Sequence, residues 1–260
     1  MAHLLTAKDE LSGFHDLLKL VLVEGTPSGN YLEILACLLT FPFQLSRWKE
    51  FCSFKDTYLR IGGEVARIGW ERATRVYTCE KDRPTKPSYL KRLIAYPDRP
   101  RRFDGGSSGL NQLDKICTEL AKKPGFSNLS FVFLRPADLH DQFRPGYVPC
   151  VIAGDFKFRA GQLDMSAMLR TNDAFAVAYA DIYYLRLLQQ HVLLESQKRT
   201  KHVNLKEGGV GNLNLYFSRV YIERNRAIRK SEGHSKQVKI MPLAEALISE
   251  LETQKLTEAK

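Results

Sequence analysis

The chain has 260 residues, a formal net charge of +10 and 44% hydrophobic residues, enough for a sizeable core in one large domain or two small ones. No apolar run reaches the roughly 18 residues that a membrane-spanning helix needs, and the first ten residues lack the pattern of a secretory signal. Five widely spaced cysteines without a Cys-x-x-Cys pair argue against a disulfide framework or a structural zinc site. We therefore expect a cytoplasmic protein with no membrane contact and no metal.

The positive charge suggests an anionic partner. Nucleic acid is one candidate, and a small phosphorylated substrate is the other, because the planar fork of arginine matches phosphate oxygens. A solvated basic surface accounts for the charge equally well. The basic residues are dispersed, with local clusters at 99–102 and 198–201, and form no aromatic-basic motif of the RNA-binding kind. We therefore do not expect nucleic acid as the partner.

The first half of the chain predicts five stretches. An amphipathic helix is predicted at 8–23, a Gly/Pro turn at 25–29, and a buried strand or short helix at 31–43. A mixed stretch with two tryptophan anchors follows at 44–78, and a Pro-rich surface loop, insertion or lid at 80–109.

In the second half, a helix is predicted at 110–123, a strand at 129–134, and a β-hairpin turned at Ala160-Gly161 at 148–169. A long helix with Asp173 as N-cap follows at 174–195. A strand at 213–222, a basic linker at 224–237 and an amphipathic helix at 241–256 complete the pattern. The pattern indicates a single α+β domain over residues 1–260, with a mostly antiparallel sheet flanked by helices.

Cys150 is the first candidate functional residue. A lone cysteine is more often a small buried hydrophobe than a nucleophile. Here Pro149 fixes the backbone before it, and the hairpin brings Arg170 to the same edge of the sheet. A nearby arginine favours the reactive thiolate. We therefore expect Cys150 and Arg170 to lie close together.

The stretch that follows, Arg170-Thr171-Asn172-Asp173, has two interpretations. A strand end, a polar turn and a helix N-cap would account for Asp173 and Thr171. Alternatively, Arg170, the Thr171 hydroxyl and N–H groups at the helix start form a phosphate site.

Asp181 lies in a helix that is apolar nearly all round. An ionised carboxylate is costly there unless a group donates to it. Arg186 or a buried tyrosine would be an internal partner, and a donor on a ligand is the alternative.

Together these residues resemble the core of the thymidylate synthase and pyrimidine hydroxymethylase family. Val148-Pro149-Cys150, the hairpin, Arg170-Thr171-Asn172-Asp173 and Asp181 fall at the spacings of the family's Pro-Cys, Arg-Ser-x-Asp and discriminating Asn or Asp. The resemblance covers about residues 110–186, with weaker likeness on both sides. It implies a thymidylate synthase-like fold and a homodimer.

The resemblance also implies a folate-dependent transferase. Cys150 would add to C6 of a pyrimidine nucleoside monophosphate, and C5 would take a one-carbon unit from 5,10-methylenetetrahydrofolate. Arg170 and Thr171 would hold the phosphate, and Asp173 would bind the pyrimidine O2 largely through its backbone N–H.

Other family positions match less well. The family's phosphate-binding Arg-Arg pair falls on Ser127-Asn128-Leu129, which has no arginine, and its folate-closing C-terminus falls on a helix. Tyr221 is the best match to the sugar-binding strand. Glu33 is the nearest candidate for the family's catalytic glutamate.

Asp181 bears on the choice of base. In the family, thymidylate synthases carry Asn at this position and cytidylate hydroxymethylases carry Asp. A carboxylate only accepts hydrogen bonds, so it suits the amino group of cytosine and repels O4 of uracil. We therefore predict 5-hydroxymethylation of CMP or dCMP, serving nucleoside natural-product or modified-DNA synthesis. The alternatives are methylation of a uracil nucleotide and non-catalytic nucleotide or nucleic-acid binding on the same fold.

Overall fold

The computed structural model describes residues 2–78, 87–96, 109–140, 148–229 and 235–258. The fold is α+β, with a mixed, mostly antiparallel sheet flanked by helices. The chain divides into two compact units, each built from separate segments. Unit 1 comprises Met1–Arg72, Thr171–Tyr183 and Phe217–Lys260, and unit 2 comprises Ala73–Arg170 and Tyr184–Tyr216.

The described residues form ten strands and eight helices. The strands are β1 (His3–Thr6), β2 (Thr26–Ser28), β3 (Tyr31–Phe41), β4 (Ser130–Val132), β5 (Val151–Arg159), β6 (Gln162–Leu169), β7 (Asn172–Asp173), β8 (Gly209–Glu223), β9 (Asn225–Arg229) and β10 (Ser235–Lys239). The helices are α1 (Glu10–Glu24), α2 (Leu45–Tyr77), α3 (Tyr89–Ile94), α4 (Gln112–Lys122), α5 (Pro136–His140), α6 (Ala178–Arg199), α7 (Val203–Lys206) and α8 (Met241–Glu258).

In unit 1, β3 is the strand around which the sheet is built. It pairs in parallel with β1, with His3 opposite Cys37, and antiparallel with β2. The C-terminal part of β8 neighbours β3, and the short β7 pairs with it in parallel, with Asp173 opposite Tyr221. Strands β9 and β10 form a separate antiparallel pair.

The core of unit 1 is rich in aromatic rings. The N-terminal helix α1 begins after Asp9, whose side chain accepts from Ser12 N at 2.7 Å. Its buried Phe14 meets the ring of Tyr179 edge-on, with 5.4 Å between centroids. The Tyr58 hydroxyl, also buried, donates to Phe175 O at 2.9 Å and to Ala176 O at 3.0 Å. These bonds fix the turn that leads into α6.

In unit 2, β5 and β6 form the predicted hairpin. Arg159 lies opposite Gln162, so the turn is Ala160-Gly161, and both turn residues have positive φ, 49° and 76°. Such a turn matches the twist of the flanking strands. Strand β4 pairs with β5 on the other side, and the N-terminal part of β8 neighbours β6.

Strand β5 contains a β-bulge near its start. Val151 lies opposite Leu169, whereas Ala153 lies opposite Met168, so Ile152 is the extra residue. The carbonyl of Ile152 accepts from Phe133 N at 2.7 Å and from Leu134 N at 3.1 Å. The carbonyl of the bulge residue therefore keeps hydrogen bonds although it leaves the ladder with β6.

Unit 2 also buries a group of three charges, which we call the Asp138 cluster (Arg92, Arg135 and Asp138). Arg92 Nη1 donates to Asp138 Oδ2 at 2.5 Å, and Arg135 Nη2 donates to Asp138 Oδ1 at 2.7 Å. Arg92 Nη1 also donates to Phe133 O at 2.5 Å. Hydrogen bonds compensate these charges for their loss of water.

Several elements differ from the sequence expectation. Helix α3, with Tyr89 and Leu93 buried, lies inside the stretch predicted as a surface loop or insertion around 80–109. Residues 80–86 and 97–108 of that stretch lie outside the described residues. The basic linker predicted at 224–237 contains β9 and β10, because their backbone groups pair with each other. Helix α6 begins at Ala178 and not at 174, because Tyr58 binds two carbonyls of the preceding turn.

Two further stretches are more regular than predicted. The mixed stretch 44–78 is helical as α2, which consists of two helical segments joined by a kink at Gly63, where φ is 55° and ψ is -137°. Strands β1 and β2 were not predicted from their short sequences. Among the described residues, none of the helices is both long and apolar enough to cross a lipid bilayer.

Candidate functional site

The thiol candidate Cys150 lies immediately before β5 and is half-buried. Arg170 N donates to Cys150 O at 2.8 Å, so the two residues face each other across the hairpin, as the sequence predicts. The exposed Arg170 guanidinium approaches Val148 O at 3.5 Å. A nucleophile candidate and a cation therefore share one strand end.

Tyr89 fixes the backbone at this nucleophile candidate. Its hydroxyl oxygen accepts from Cys150 N and from Val151 N, each at 3.0 Å. Its ring is buried and stacks on Phe133 with 4.5 Å between centroids. Sequence analysis missed Tyr89, although Ser88 is a recognisable N-cap signal for α3 and accepts from Lys91 N at 3.1 Å.

The other described thiols are in unreactive surroundings. Burial raises the pKa of Cys37 and of Cys52 to about 11, and the negative charge of Glu10 adds to the shift at Cys52. Burial also raises the pKa of Cys117. Cys52 is half-buried like Cys150, which makes it a matched control for experiments on the thiol.

Asp181 lies in the first part of α6 and is only 4% exposed. Asn172 Nδ2 donates to Asp181 Oδ2 at 2.6 Å. The amide of Asn172 is therefore one internal partner of this carboxylate, and it differs from the arginine or tyrosine that the sequence suggested. The base-reading candidate is thus oriented by a neutral group from β7.

Asp173 has structural partners for both of its carboxylate oxygens. Oδ1 accepts from Phe175 N at 3.2 Å and from Ala176 N at 3.0 Å, so Asp173 caps the turn before α6. Oδ2 pairs with Arg226, which also donates to Glu223 at 2.6 Å. Burial raises the pKa of Asp173, and the charge of Arg226 opposes that shift. The binding role predicted for Asp173 would use its backbone N–H.

Thr171 lies between Arg170 and Asn172 and is half-buried. Its hydroxyl oxygen is buried and has no hydrogen-bond partner among the described residues. A hydroxyl group without a partner is available to a ligand, which suits the phosphate role predicted for Thr171.

Glu33 and Tyr221 belong to a cluster around Arg219 in unit 1. Arg219 Nε donates to Glu33 Oε2, so the carboxylate on β3 is ion-paired. The Arg219 guanidinium lies 4.7 Å from the ring centroid of Tyr221 and 5.1 Å from that of Tyr31. The structure therefore brings these two predicted residues together, with Arg219 as a partner that sequence analysis missed.

A pocket of about 820 Å³ lies at the far end of the hairpin. Its lining includes Phe158, the turn at Ala160 and Gly161, and His202. At about 3.3 Å per residue, the length of β5 separates this turn from Cys150 by roughly 30 Å. The pocket is therefore unrelated to the thiol. Among the described residues, no group of three His, Cys, Asp or Glu side chains could hold a metal ion.

The C-terminal helix α8 differs from the segment that would bind the folate implied by the resemblance. In the family, the C-terminus closes over the folate. Here Glu252 of α8 accepts from Lys19 Nζ of α1 at 2.9 Å, a contact within unit 1. This contact holds α8 against α1, so the described residues of α8 do not match the closing C-terminus of the family.

Comparison with known proteins does not assign a family. No protein-family model and no curated protein matches this chain. The resemblance to thymidylate synthases and pyrimidine hydroxymethylases therefore rests on the residues at 148–150, 170–173 and 181, and membership of that family stays a prediction.

Proposed function

We propose that the protein is an enzyme that transfers a one-carbon unit to C5 of a cytidine nucleotide, CMP or dCMP, and gives a 5-hydroxymethyl product. The pairing of Cys150 with Arg170 across the hairpin carries the proposal. Cys150 is a nucleophile candidate, and Arg170 beside it is a cation that suits phosphate. The hydroxyl of Tyr89 fixes the backbone at Cys150. Proteins that only bind nucleotides do not need a thiol in that position.

The covalent step uses the Cys150 thiolate. The sulfur adds to C6 of the pyrimidine ring, and the C5–C6 electron pair makes C5 nucleophilic. After C5 has bonded to the one-carbon unit, the C5 proton would leave to solvent and the carrier of that unit would depart with its bonding electron pair, which gives an exocyclic methylene. Water would add to this methylene as the sulfur leaves C6, so that the ring is restored and the product carries a 5-hydroxymethyl group. Arg170 and Thr171 hold the phosphate during this sequence. The one-carbon donor implied by the resemblance is 5,10-methylenetetrahydrofolate.

The choice of cytosine follows from Asp181. Its buried carboxylate offers acceptors only, and the amide of Asn172 donates to one of them. Cytosine places an amino group where uracil has a carbonyl oxygen. A uracil nucleotide would therefore set O4 against the carboxylate, which leaves buried acceptors unpaired.

A homodimer and a single domain over residues 1–260 are part of the same proposal. Leu4, Leu35 and Leu38 are exposed on β1 and β3. Large apolar residues exposed on neighbouring strands suit an interface with a second copy of the chain. A cytoplasmic location remains an expectation from cysteine usage.

One observation favours a second candidate, a non-catalytic nucleotide-binding protein. Glu33, the nearest match to a catalytic glutamate, is ion-paired with Arg219 on the strand β3. A carboxylate held in this way is poorly suited to relay protons. The retained Cys150 opposes this candidate.

A tritium-release experiment tests the proposal. Cytidine and uridine monophosphates and their deoxy forms, labelled with tritium at C5, are incubated with the protein and methylenetetrahydrofolate. We expect release from cytosine nucleotides, its loss in Cys150→Ala, and normal release in the matched control Cys52→Ala. Release from uracil nucleotides alone would support the methylating alternative, and nucleotide binding without release would support the binding protein.

A second variant tests the base choice. Asp181→Asn gives the side chain an amide donor, so we expect the ratio of cytosine to uracil turnover to fall by at least tenfold, since one buried hydrogen bond is worth about that factor. Measurement of kcat/KM for both bases gives the ratio. An unchanged ratio would show that another residue reads the base.

A further inference from the structure

The amide of Asn172 has a defined orientation. Its Nδ2 lies 2.6 Å from Asp181 Oδ2, within hydrogen-bond distance. A flipped amide would set its oxygen against a carboxylate oxygen, two acceptors without a proton between them. The amide oxygen Oδ1 is therefore not the atom that faces Asp181 Oδ2.

This oxygen has no internal partner. Asn172 is 2% exposed, and its Oδ1 is buried with no hydrogen-bond partner among the described residues. Buried acceptors of this kind are rare, because each one loses its bonds to water without replacement. The hydroxyl oxygen of Thr171, the preceding residue, is also buried and lacks a partner there. Two consecutive side chains thus offer polar atoms that a ligand would satisfy.

The chemistry of the pair selects the ligand group. Asn172 contributes an amide oxygen and Asp181 a carboxylate, so both offer acceptors. The matching group carries at least two N–H hydrogens, as the exocyclic amino group of cytosine does. A uracil ring would present its O4 carbonyl oxygen instead and leave Asn172 Oδ1 unpaired.

We propose that Asn172 is a second base-reading residue, whose Oδ1 accepts one amino hydrogen of cytosine while its Nδ2 orients Asp181. The inference rests on the proposed function and deepens it. It makes selection of cytosine a property of two acceptors, of which only Asp181 follows from the family resemblance.

Nucleotide affinity measured by calorimetry tests this inference on the full chain. For wild type we expect tighter binding of CMP or dCMP than of UMP or dUMP. Asn172→Ala removes the acceptor, so the affinity for the cytosine nucleotide falls about tenfold and the affinity for the uracil nucleotide changes by less than about threefold. Asn30→Ala is the control, because the Asn30 amide has internal partners at Asn225 for both its nitrogen and its oxygen. It leaves the ratio of affinities unchanged.

A second variant keeps the inference testable if Asn172→Ala does not fold. Asn172→Asp has nearly the same shape and retains an acceptor oxygen, while a shared proton joins it to Asp181. We expect this variant to keep its preference for cytosine within about threefold of wild type.

The outcomes separate the inference from the proposed function. Equal loss of affinity for both bases in Asn172→Ala, or an unchanged ratio, overturns the role of Asn172 alone. Loss of the cytosine preference in Asn172→Asp overturns it as well. A wild-type protein that binds neither base overturns the proposed function together with the inference.

Discussion

Two buried aspartates, one in each unit, pair with arginine in different ways. Asp138 in unit 2 accepts from two guanidinium groups and from the backbone N–H of Arg135. Asp173 in unit 1 has one guanidinium partner, Arg226, which it shares with Glu223. The two residues are 1% and 6% exposed, so their burial is similar and their partners differ.

The pKa values shift in opposite directions as a result. Burial alone would raise the pKa of Asp138, but hydrogen bonds from Arg92 and Arg135 lower it below its usual range. At Asp173, burial raises the pKa, and one shared arginine does not overcome that effect. The number of cationic donors therefore decides whether a buried carboxylate stabilises the fold as an anion.

The largest effect is expected for Asp138→Asn. This change leaves two buried guanidinium groups without their counter-charge, so the free energy of unfolding at pH 7 falls by about 3–5 kcal/mol. Urea denaturation measures it. Asp114→Asn is the control, because the exposed pair of Asp114 with Arg199 contributes little. A loss as small as that of the control would contradict the buried ion-pair interpretation.

The pH dependence of the same variant follows from the lowered pKa. A group whose pKa is lower in the folded state stabilises the protein above its unfolded pKa of about 4, and that stabilisation is lost as the pH falls. The difference between wild type and Asp138→Asn therefore shrinks below about pH 4. A difference that stays constant from pH 7 to pH 3 would contradict the assignment.

An intermediate effect is expected for Tyr89→Phe, which removes a neutral acceptor. Cys150 N and Val151 N lose their partner, so the free energy of unfolding falls by about 1–3 kcal/mol. Tritium release falls as well, because the backbone at Cys150 is no longer fixed. Tyr96→Phe removes one hydrogen bond, to Leu134 O, and serves as the control with release unchanged. Equal release by both variants would show that Tyr89 has a structural role only.

The smallest effect is expected for Asp173→Asn. The amide still accepts from the turn N–H groups and no longer carries a buried charge, so the free energy of unfolding changes by about 1 kcal/mol or less at pH 7.

The pH trend for Asp173 is the reverse of that for Asp138. Because the folded pKa is raised, protonated Asp173 stabilises the fold at low pH, and this stabilisation is lost as the pH rises through that pKa. As the pH rises above about 4, the free energy of unfolding of wild type therefore falls relative to that of Asp173→Asn. If it rose relative to the variant over the same pH range, the raised pKa of Asp173 would be contradicted.

Local sequence predicted the elements whose geometry is set by near neighbours. The β5–β6 hairpin turns at Ala160-Gly161, where both residues adopt positive φ, and its register brings Cys150 opposite Arg170. Asp173 accepts from N–H groups of the turn before α6 through its own side chain, although the helix that it was predicted to cap begins only at Ala178. Each of these features depends on contacts within about twenty residues of sequence.

The missed elements depend on distant residues. Strand β1 has four residues and exists because it pairs with β3, more than thirty positions away. Helix α3 has six residues among prolines, and Arg92 anchors it to Phe133 O and Asp138. The roles of Tyr89 and Asn172 also come from tertiary contacts, which no local pattern of the sequence contains.

The extra residue Ile152 has a consequence for the evolution of the hairpin. From Arg159 back to Ala153, opposing residues follow one register, and the bulge shifts that register by one position before Cys150. Deletion of Ile152 would leave Ala153 opposite Met168, Val151 opposite Leu169 and Cys150 opposite Arg170, so the pairing of the thiol with the guanidinium does not depend on the extra residue. Loss of that single codon would instead straighten β5 and remove the carbonyl that accepts from Phe133 N and Leu134 N.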